Sequence, residues 1–345
     1  VLDRQIELKE AMLWSSGPED KVTCHLCAHR CVIADGEMGI CNVREHRSGK
    51  LHTLVYGRTI ARHVDPIEKK PLMHFYPGSK ALSMATAGCN FRCRWCQNSE
   101  ISQMPRERHL IMGEKATPEE LVEQAILSGS RSIAYTYTEP TMFFEYAYDT
   151  ARKAKEKGLA NVFVTNGYMT AEMLGLMAPY LEAANVDLKS FRDETYRKFA
   201  GARLQPVLDS IRRIKEKSIW LEVTTLVIPG LNDSPQELED IARFLAELDP
   251  DIPWHISRFH PDYLMEGTPP TPVGVLEQAR NIGRNAGLRY LYGGNIGGEV
   301  NTFCHSCGET VIIRSGSGVT SNRITQTGAC PSCKTPVAGV GMTGI

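Results

Sequence analysis

Eleven cysteines stand among 345 residues, and they fall into three groups with no remainder: Cys24, Cys27, Cys31 and Cys41; Cys89, Cys93 and Cys96; and Cys304, Cys307, Cys330 and Cys333. An odd count in a chain read as cytosolic argues against a disulfide framework and for metal or redox chemistry. Cysteines serving only as small buried hydrophobes would scatter as the core required and leave strays. The middle group, Cys89-Asn90-Phe91-Arg92-Cys93-Arg94-Trp95-Cys96, is a Cys-x3-Cys-x2-Cys run with an aromatic residue directly before its third cysteine. A four-iron, four-sulfur (4Fe-4S) cluster takes four thiolates, so three leave one iron open to an outside ligand. The same logic separates an open catalytic zinc site from a closed structural one.

The outer groups are quartets. Cys304-x2-Cys307 and Cys330-x2-Cys333, with 22 residues between the pairs, predict a zinc ribbon whose role is structural or recognition of a partner. Arg314 and Arg323 are too few to support nucleic-acid binding. Cys24-x2-Cys27-x3-Cys31-x9-Cys41 supplies four ligands for a closed site, but its spacing is not the bacterial ferredoxin run. Zinc and an auxiliary iron-sulfur cluster both remain open there, with His25 and His29 as alternative ligands.

Elements must position these groups. Short apolar runs at Leu82–Ala87, Ser132–Thr138, Asn161–Asn166, Ala184–Lys189, Trp220–Ile228, Pro253–Arg258 and Leu288–Tyr292 read as strands. Amphipathic helices lie between them: Leu204, Val207, Leu208, Ile211 and Ile214 form one stripe, and Leu238, Ile241, Ala242, Leu245 and Leu248 another, after a capped start at Ser234. Such alternation requires parallel crossovers, so the class is α/β, with either a doubly wound sheet or a (β/α) barrel, complete or partial. Both put reactive groups at the carboxyl ends of strands, where the Cys89 group, Thr138-Glu139-Pro140, Asn166-Gly167 and Asp187 to Lys189 all stand. The expected organisation is an N-terminal Cys-rich segment at 1–75, a barrel core at 76–298 and a ribbon-like tail at 299–345. With 23% charged residues, 42% hydrophobic and a net charge of -1, fibrous, disordered and polyelectrolyte classes drop out. No run reaches the roughly 18 apolar residues of a membrane span, and Val1 to Glu10 does not read as a signal peptide, which places the chain in the cytoplasm.

The triplet spacing and its aromatic resemble the signature of the radical S-adenosylmethionine (SAM) superfamily. The chain is similar to the branch containing the pyruvate formate-lyase activating enzyme, and within it to the radical SAM member of the AmmeMemoRadiSam system. The closer likeness rests on Cys24-His25-Leu26-Cys27-Ala28-His29-Arg30-Cys31 with Gly39-Ile40-Cys41, on Asp65-Pro66-Ile67-Glu68-Lys69-Lys70-Pro71 and on the Cys-x2-Cys pairs of the tail. The resemblance implies a radical SAM barrel and a 4Fe-4S cluster on Cys89, Cys93 and Cys96. It also implies SAM as cosubstrate, cleaved to a 5′-deoxyadenosyl radical that abstracts hydrogen, with an electron donor such as a flavodoxin or ferredoxin.

The likeness also implies SAM contacts. Thr138-Glu139-Pro140 stands where relatives have Gly-Gly-Glu, and Glu139 would accept from the SAM ammonium. Lys189 would neutralise the carboxylate, with Asp187 on the same face of the strand. Asn166 suits the ribose hydroxyls, although Asn-Gly also makes turns. His255 and His260 are candidates beside the adenine, and Glu222 and Thr224 for the cavity wall. The substrate is an undetermined protein or small molecule, a glycine of a partner enzyme in the activase reading. The alternative is a metal-cluster binding or electron-transfer protein without SAM cleavage.

Overall fold

The computed structural model describes residues 8–297 and 300–344. The expected boundary at 298/299 and the first seven residues of the Val1 to Glu10 start lie outside the described residues. Eight strands form the main sheet: β1 (Ala61–Pro66), β2 (Lys80–Ala85), β3 (Ser132–Tyr135), β4 (Ala160–Thr165), β5 (Ala183–Asp187), β6 (Trp220–Val227), β7 (Trp254–Arg258) and β8 (Leu291–Gly294). They lie side by side in chain order, β2 to β8 all parallel and β1 antiparallel at the edge. A doubly wound sheet reverses its strand order at a switch point. Here no reversal occurs, so every crossover winds the same way and the sheet curls into a partial (β/α) barrel.

The helices on its outside are α1 (Pro118–Leu127), α2 (Phe144–Glu156), α3 (Ala171–Met177), α4 (Leu204–Glu216), α5 (Pro235–Leu248) and α6 (Val273–Asn285). Their starts follow from side chains: Thr117 and Glu120 form a reciprocal capping box on α1, Thr170 caps α3 and Ser234 caps α5. The stripes of α4 and α5 are buried as expected, with Val207, Ile211, Ile214, Leu238 and Ile241 wholly enclosed. Strand β3 stops three residues short of the expected Thr138 because Tyr137 takes a left-handed φ of 62° and the Thr138 amide turns back to the Thr136 carbonyl at 2.7 Å. That turn frees Thr138-Glu139-Pro140 from the sheet.

Strand β1 belongs to the N-terminal 75 residues yet joins the core sheet, and the chain after it runs inside the barrel. Asn185 donates to the Pro71 carbonyl at 2.8 Å, and Glu222 accepts from the Met73 and His74 amides at 3.0 and 2.8 Å. The tail strands β9 (Thr302–Phe303), β10 (Thr310–Ser315) and β11 (Gly318–Asn322) form an antiparallel sheet. Its small core of Val311, Ile312, Ile324 and Val337 is completed by Tyr290 and Tyr292 beside and within β8. Arg314, fully buried, anchors the tail by donating to the Met73 carbonyl and Thr302 at 2.8 Å each and pairing with Glu68 at 3.4 Å. No helix among the described residues is long and apolar enough to cross a membrane.

Candidate active site and metal centres

The loop after β2 carries the cysteine triplet and is pinned on both sides. The Arg92 and Arg94 amides donate to the Ala200 and Phe199 carbonyls at 2.9 and 3.0 Å, and Gln103 donates to the Phe91 carbonyl at 3.1 Å. Gly201 has φ 70°, and a Cβ there would meet Arg92 Nε at 2.6 Å, so the close approach depends on glycine. Phe91 and Trp95 are buried, which turns the three sulfurs toward one cavity.

That cavity, of about 390 Å³, is lined by Cys89, Cys93 and Cys96 together with Thr138, Glu139, Asn166, Asp187 and Lys189. Four strand ends therefore converge there, from β2, β3, β4 and β5. Thr224 and Ser257 add β6 and β7 to the same wall. Burial pushes the Cys93 thiol up to about 12 although Lys189 pulls it down, and burial with the Glu139 charge holds the Cys89 thiol well above its ordinary value. Buried thiols of this kind release their protons when a metal takes the sulfur. The donor set fits a cluster: the three sulfurs do not gather within 4.8 Å of one another as the tail quartet does, and no fourth thiolate lines the cavity.

Lys189 Nζ pairs with Asp187 at 3.0 Å. Burial alone would lower the lysine, but Asp187 and Cys93 outweigh it and hold the ammonium above its ordinary value. A fixed positive charge thus faces the cavity beside the cluster loop.

Glu139 is enclosed and largely committed: Oε1 accepts from Thr165 Oγ1 at 2.7 Å, Thr141 Oγ1 at 2.5 Å and the Thr141 amide at 3.1 Å, while Oε2 accepts from the Asn166 amide at 2.8 Å. One lone pair on Oε2 is left for a ligand. Burial raises its pKa, partly offset by these donors. Asn166 is committed more fully. Its Oδ1 accepts from the Tyr168 amide at 3.0 Å and its Nδ2 donates to Asn90 Oδ1 at 2.8 Å, so this Asx turn braces the cysteine loop while Asn166 still lines the cavity. Thr138 Oγ1 donates to the Thr86 carbonyl at 2.9 Å.

The histidines separate. His255 lies outside the first cavity, bonded to Glu222 at 2.6 Å and stacked on Tyr292, and it faces a second cavity of about 570 Å³. The two cavities share Lys69, Pro71, Thr224, Ser257 and Asn295. His260 lines neither; it is exposed past the end of β7, 3.2 Å from the Asn295 carbonyl. Glu222, expected on the cavity wall, is spent on Met73, His74, Trp220 and His255.

Sequence reasoning assigned no role to Asp65, Lys70 and Tyr137. Asp65 Oδ2 accepts from Lys70 at 2.9 Å, Tyr137 OH at 2.9 Å and Ser83 at 3.1 Å, and Lys70 and Tyr137 line the cavity. Burial would raise the Asp65 carboxyl, but these donors hold it well below the usual carboxylate range. The signal was the Asp65 to Pro71 run itself, whose charges lie too far apart in sequence from Tyr137 to suggest a cluster.

The tail quartet is a single-ion geometry. Cys304 and Cys333 sulfurs lie 3.6 Å apart, Cys307 and Cys330 3.7 Å, and all four within 4.8 Å. A tetrahedron with metal-sulfur bonds of about 2.3 Å has edges of about 3.8 Å.

Comparison with known proteins agrees with this site. The family model of the radical SAM superfamily matches residues 84–245. An uncharacterized protein of Methanocaldococcus jannaschii is 44% identical over 310 residues, covering 89% of this chain and 92% of that protein. The chain belongs to the radical SAM superfamily. An isethionate sulfite-lyase activating enzyme of Oleidesulfovibrio alaskensis is 26% identical over 174 residues, 47% of this chain and 56% of the relative. A domain of the pyruvate formate-lyase-activating enzyme from Bacteroides vulgatus has 21% identity and a TM-score of 0.43, covering 48% of this chain and 99% of that one. This radical SAM protein is therefore an enzyme related to glycyl-radical activating enzymes.

Proposed function

We propose that the protein reductively cleaves SAM at a 4Fe-4S cluster held by Cys89, Cys93 and Cys96, and that the resulting radical abstracts hydrogen from a substrate. The observation that carries this reading is the convergence of a three-cysteine loop and the Asp187–Lys189 pair on one cavity at the carboxyl ends of successive strands. When bound, the cluster supplies one electron to the SAM sulfonium, giving methionine and a 5′-deoxyadenosyl radical.

The chain's own residues orient and exclude. Lys189 attracts the methionyl carboxylate, and the remaining Glu139 Oε2 lone pair accepts from the amine. Asn166 and Asn90 hold the Cys89 loop in register with β4. Buried Phe91 and Trp95 keep water from the sulfurs' far side. Thr224 and Ser257 lead to the second cavity, where a substrate would meet the radical. The tail quartet holds structural zinc, and the electron comes from a flavodoxin or ferredoxin. Relatives named as glycyl-radical activating enzymes favour a protein glycine as hydrogen donor. The segments 76–298 and 299–345 then serve as catalytic and docking units of a cytoplasmic enzyme, and 1–75 as an accessory unit whose last residues, from Ala61 on, complete the sheet and the cavity wall.

The test is anaerobically reconstituted, reduced protein with SAM. Deoxyadenosine forms, and Cys93→Ala abolishes it while tail zinc is retained. Lys189→Ala weakens SAM binding by ~10- to 100-fold, the ~1.5–3 kcal/mol of a hydrogen bond to a charged group, without loss of iron. Deoxyadenosine at the parental rate from Cys93→Ala overturns the reading, and none from parental protein with a verified cluster favours a cluster-bearing electron carrier. With an authentic glycyl-radical partner, the activase reading expects a glycine-radical doublet by electron paramagnetic resonance.

A further inference from the structure

We propose that Cys24, Cys27, Cys31 and Cys41 hold a second iron-sulfur cluster of the 4Fe-4S class, and that the site is not a zinc centre. The molecule contains its own control. At the tail, four cysteines gather all their sulfurs within 4.8 Å, the spacing one ion imposes. Among the described residues no other three Cys, His, Asp or Glu ligand atoms gather so tightly, and the N-terminal quartet is thus more widely spread. In a four-iron cube each thiolate binds a different iron, so the protein sulfurs stand farther apart than around a single ion.

The four spread sulfurs surround one cavity, whose remaining wall is apolar at Leu26, Ile33 and Met142. A cube bound by four thiolates needs such a wall, because its sulfides take weak hydrogen bonds and its potential depends on exclusion of water. Of the two neighbouring histidines, His25 has both ring nitrogens occupied, Nε2 by Ser15 at 2.8 Å and Nδ1 by Arg30 at 3.0 Å. His29 lines the cavity with Nε2 on the Asn90 carbonyl at 2.9 Å. The four cysteines are by themselves a complete set for a closed cluster.

One of the sulfurs is supplied with a charged donor: Arg44, buried and paired with Glu145, donates from Nη1 to Cys24 Sγ at 3.1 Å. The site also adjoins the catalytic loop. Arg106 donates to the Ile40 carbonyl at 2.9 Å and to the Phe91 carbonyl at 3.4 Å, bridging the two loops. Gly88 has φ 101°, and a Cβ there would meet Val43 Cγ1 at 2.5 Å, so the loops touch through a glycine. Asn90, next to Cys89, lines the quartet's cavity.

The experiment uses full-length protein reconstituted anaerobically with ferrous iron and sulfide, zinc being supplied in parallel. The variant Cys89→Ser/Cys93→Ser/Cys96→Ser removes the catalytic set. It retains about four irons and four sulfides per chain, one zinc, and the resonance of a reduced 4Fe-4S cluster, while the parent holds about twice the iron. In the parent the two reduced clusters broaden each other's resonance, and the variant's signal is narrow. A triple variant that takes two zinc ions and no iron overturns the assignment. The reciprocal Cys31→Ser/Cys41→Ser, at the two partly exposed positions, loses half the parental iron, and parental iron content there equally overturns it. Parental protein that assembles both clusters without cleaving SAM supports this site and sinks only the proposed activity.

Discussion

In the tail quartet, two Cys-x2-Cys knuckles close on each other through local bonds: the Gly308 amide donates to the Cys304 carbonyl at 2.9 Å and the Lys334 amide to the Cys330 carbonyl at 3.0 Å. Cys307 and Cys333 are exposed, so a metal held there would sit at the surface of a short β-sheet. The N-terminal quartet is held by the barrel. Thr170, which caps α3, also donates to the His25 carbonyl at 2.8 Å, Cys27 bridges Met169, and Arg44 ties Cys24 to Glu145 on α2. Equal ligand counts thus produce one site closed by its own segment's local bonds and another organised by the protein around it. Local knuckles select a single ion, whereas a cage assembled from distant elements can keep sulfurs apart and enclose a cluster.

The contrast can be broken at the tail first. Structural zinc contributes ~10–16 kcal/mol in small zinc domains, so chelation is expected to unfold residues 300–344 while the barrel stays native. Hydrogen exchange should show loss of protection in β9 to β11 with β2 to β6 unchanged. Simultaneous loss throughout would mean that the tail's metal supports the barrel as well.

At the other end, Glu145→Gln leaves Arg44 buried without its charge partner, which costs ~3–5 kcal/mol. Urea unfolding should report that loss, together with depleted N-terminal metal and full tail zinc. Unchanged stability would show that Arg44 does not depend on α2.

The smallest effect concerns how the tail docks. His74 is fully buried, with Nδ1 2.6 Å from the Ala338 carbonyl and Nε2 2.6 Å from Tyr292 OH, a neutral tautomer between barrel and ribbon. Burial holds its pKa down to about 4, below the unfolded histidine value. The unfolded chain therefore binds the proton first as pH falls, and stability present above pH 6.5 is lost toward pH 4. Between pH 7 and pH 5 the loss is ~2 kcal/mol, and His74→Gln should flatten that slope in urea titrations. A slope unchanged by the substitution would assign the acid sensitivity elsewhere.

Much of this was legible in residue order. Periodicity located β2 to β8 to within a few residues, and cysteine spacing marked three centres. Strand adjacency was not legible, because α/β alternation is common to wound sheets and barrels, and only the unreversed order separated them. The Glu139 and Asn166 assignments depended on what else reached those side chains, and Thr165, Thr141, Tyr168 and Asn90 claimed most of their bonding capacity. Neither histidine candidate entered the first cavity: Glu222 holds His255 on the neighbouring wall, and His260 lies beyond the strand end.

By itself the chain's residue order determined which ligands exist and how many each centre can offer, since donor identity and count are covalent properties. Tertiary structure decided how far apart those donors stand. Sulfur separation depends on elements distant in sequence, such as α2 behind Cys24 and α3 beside Cys27, and that separation distinguishes an ion from a cluster.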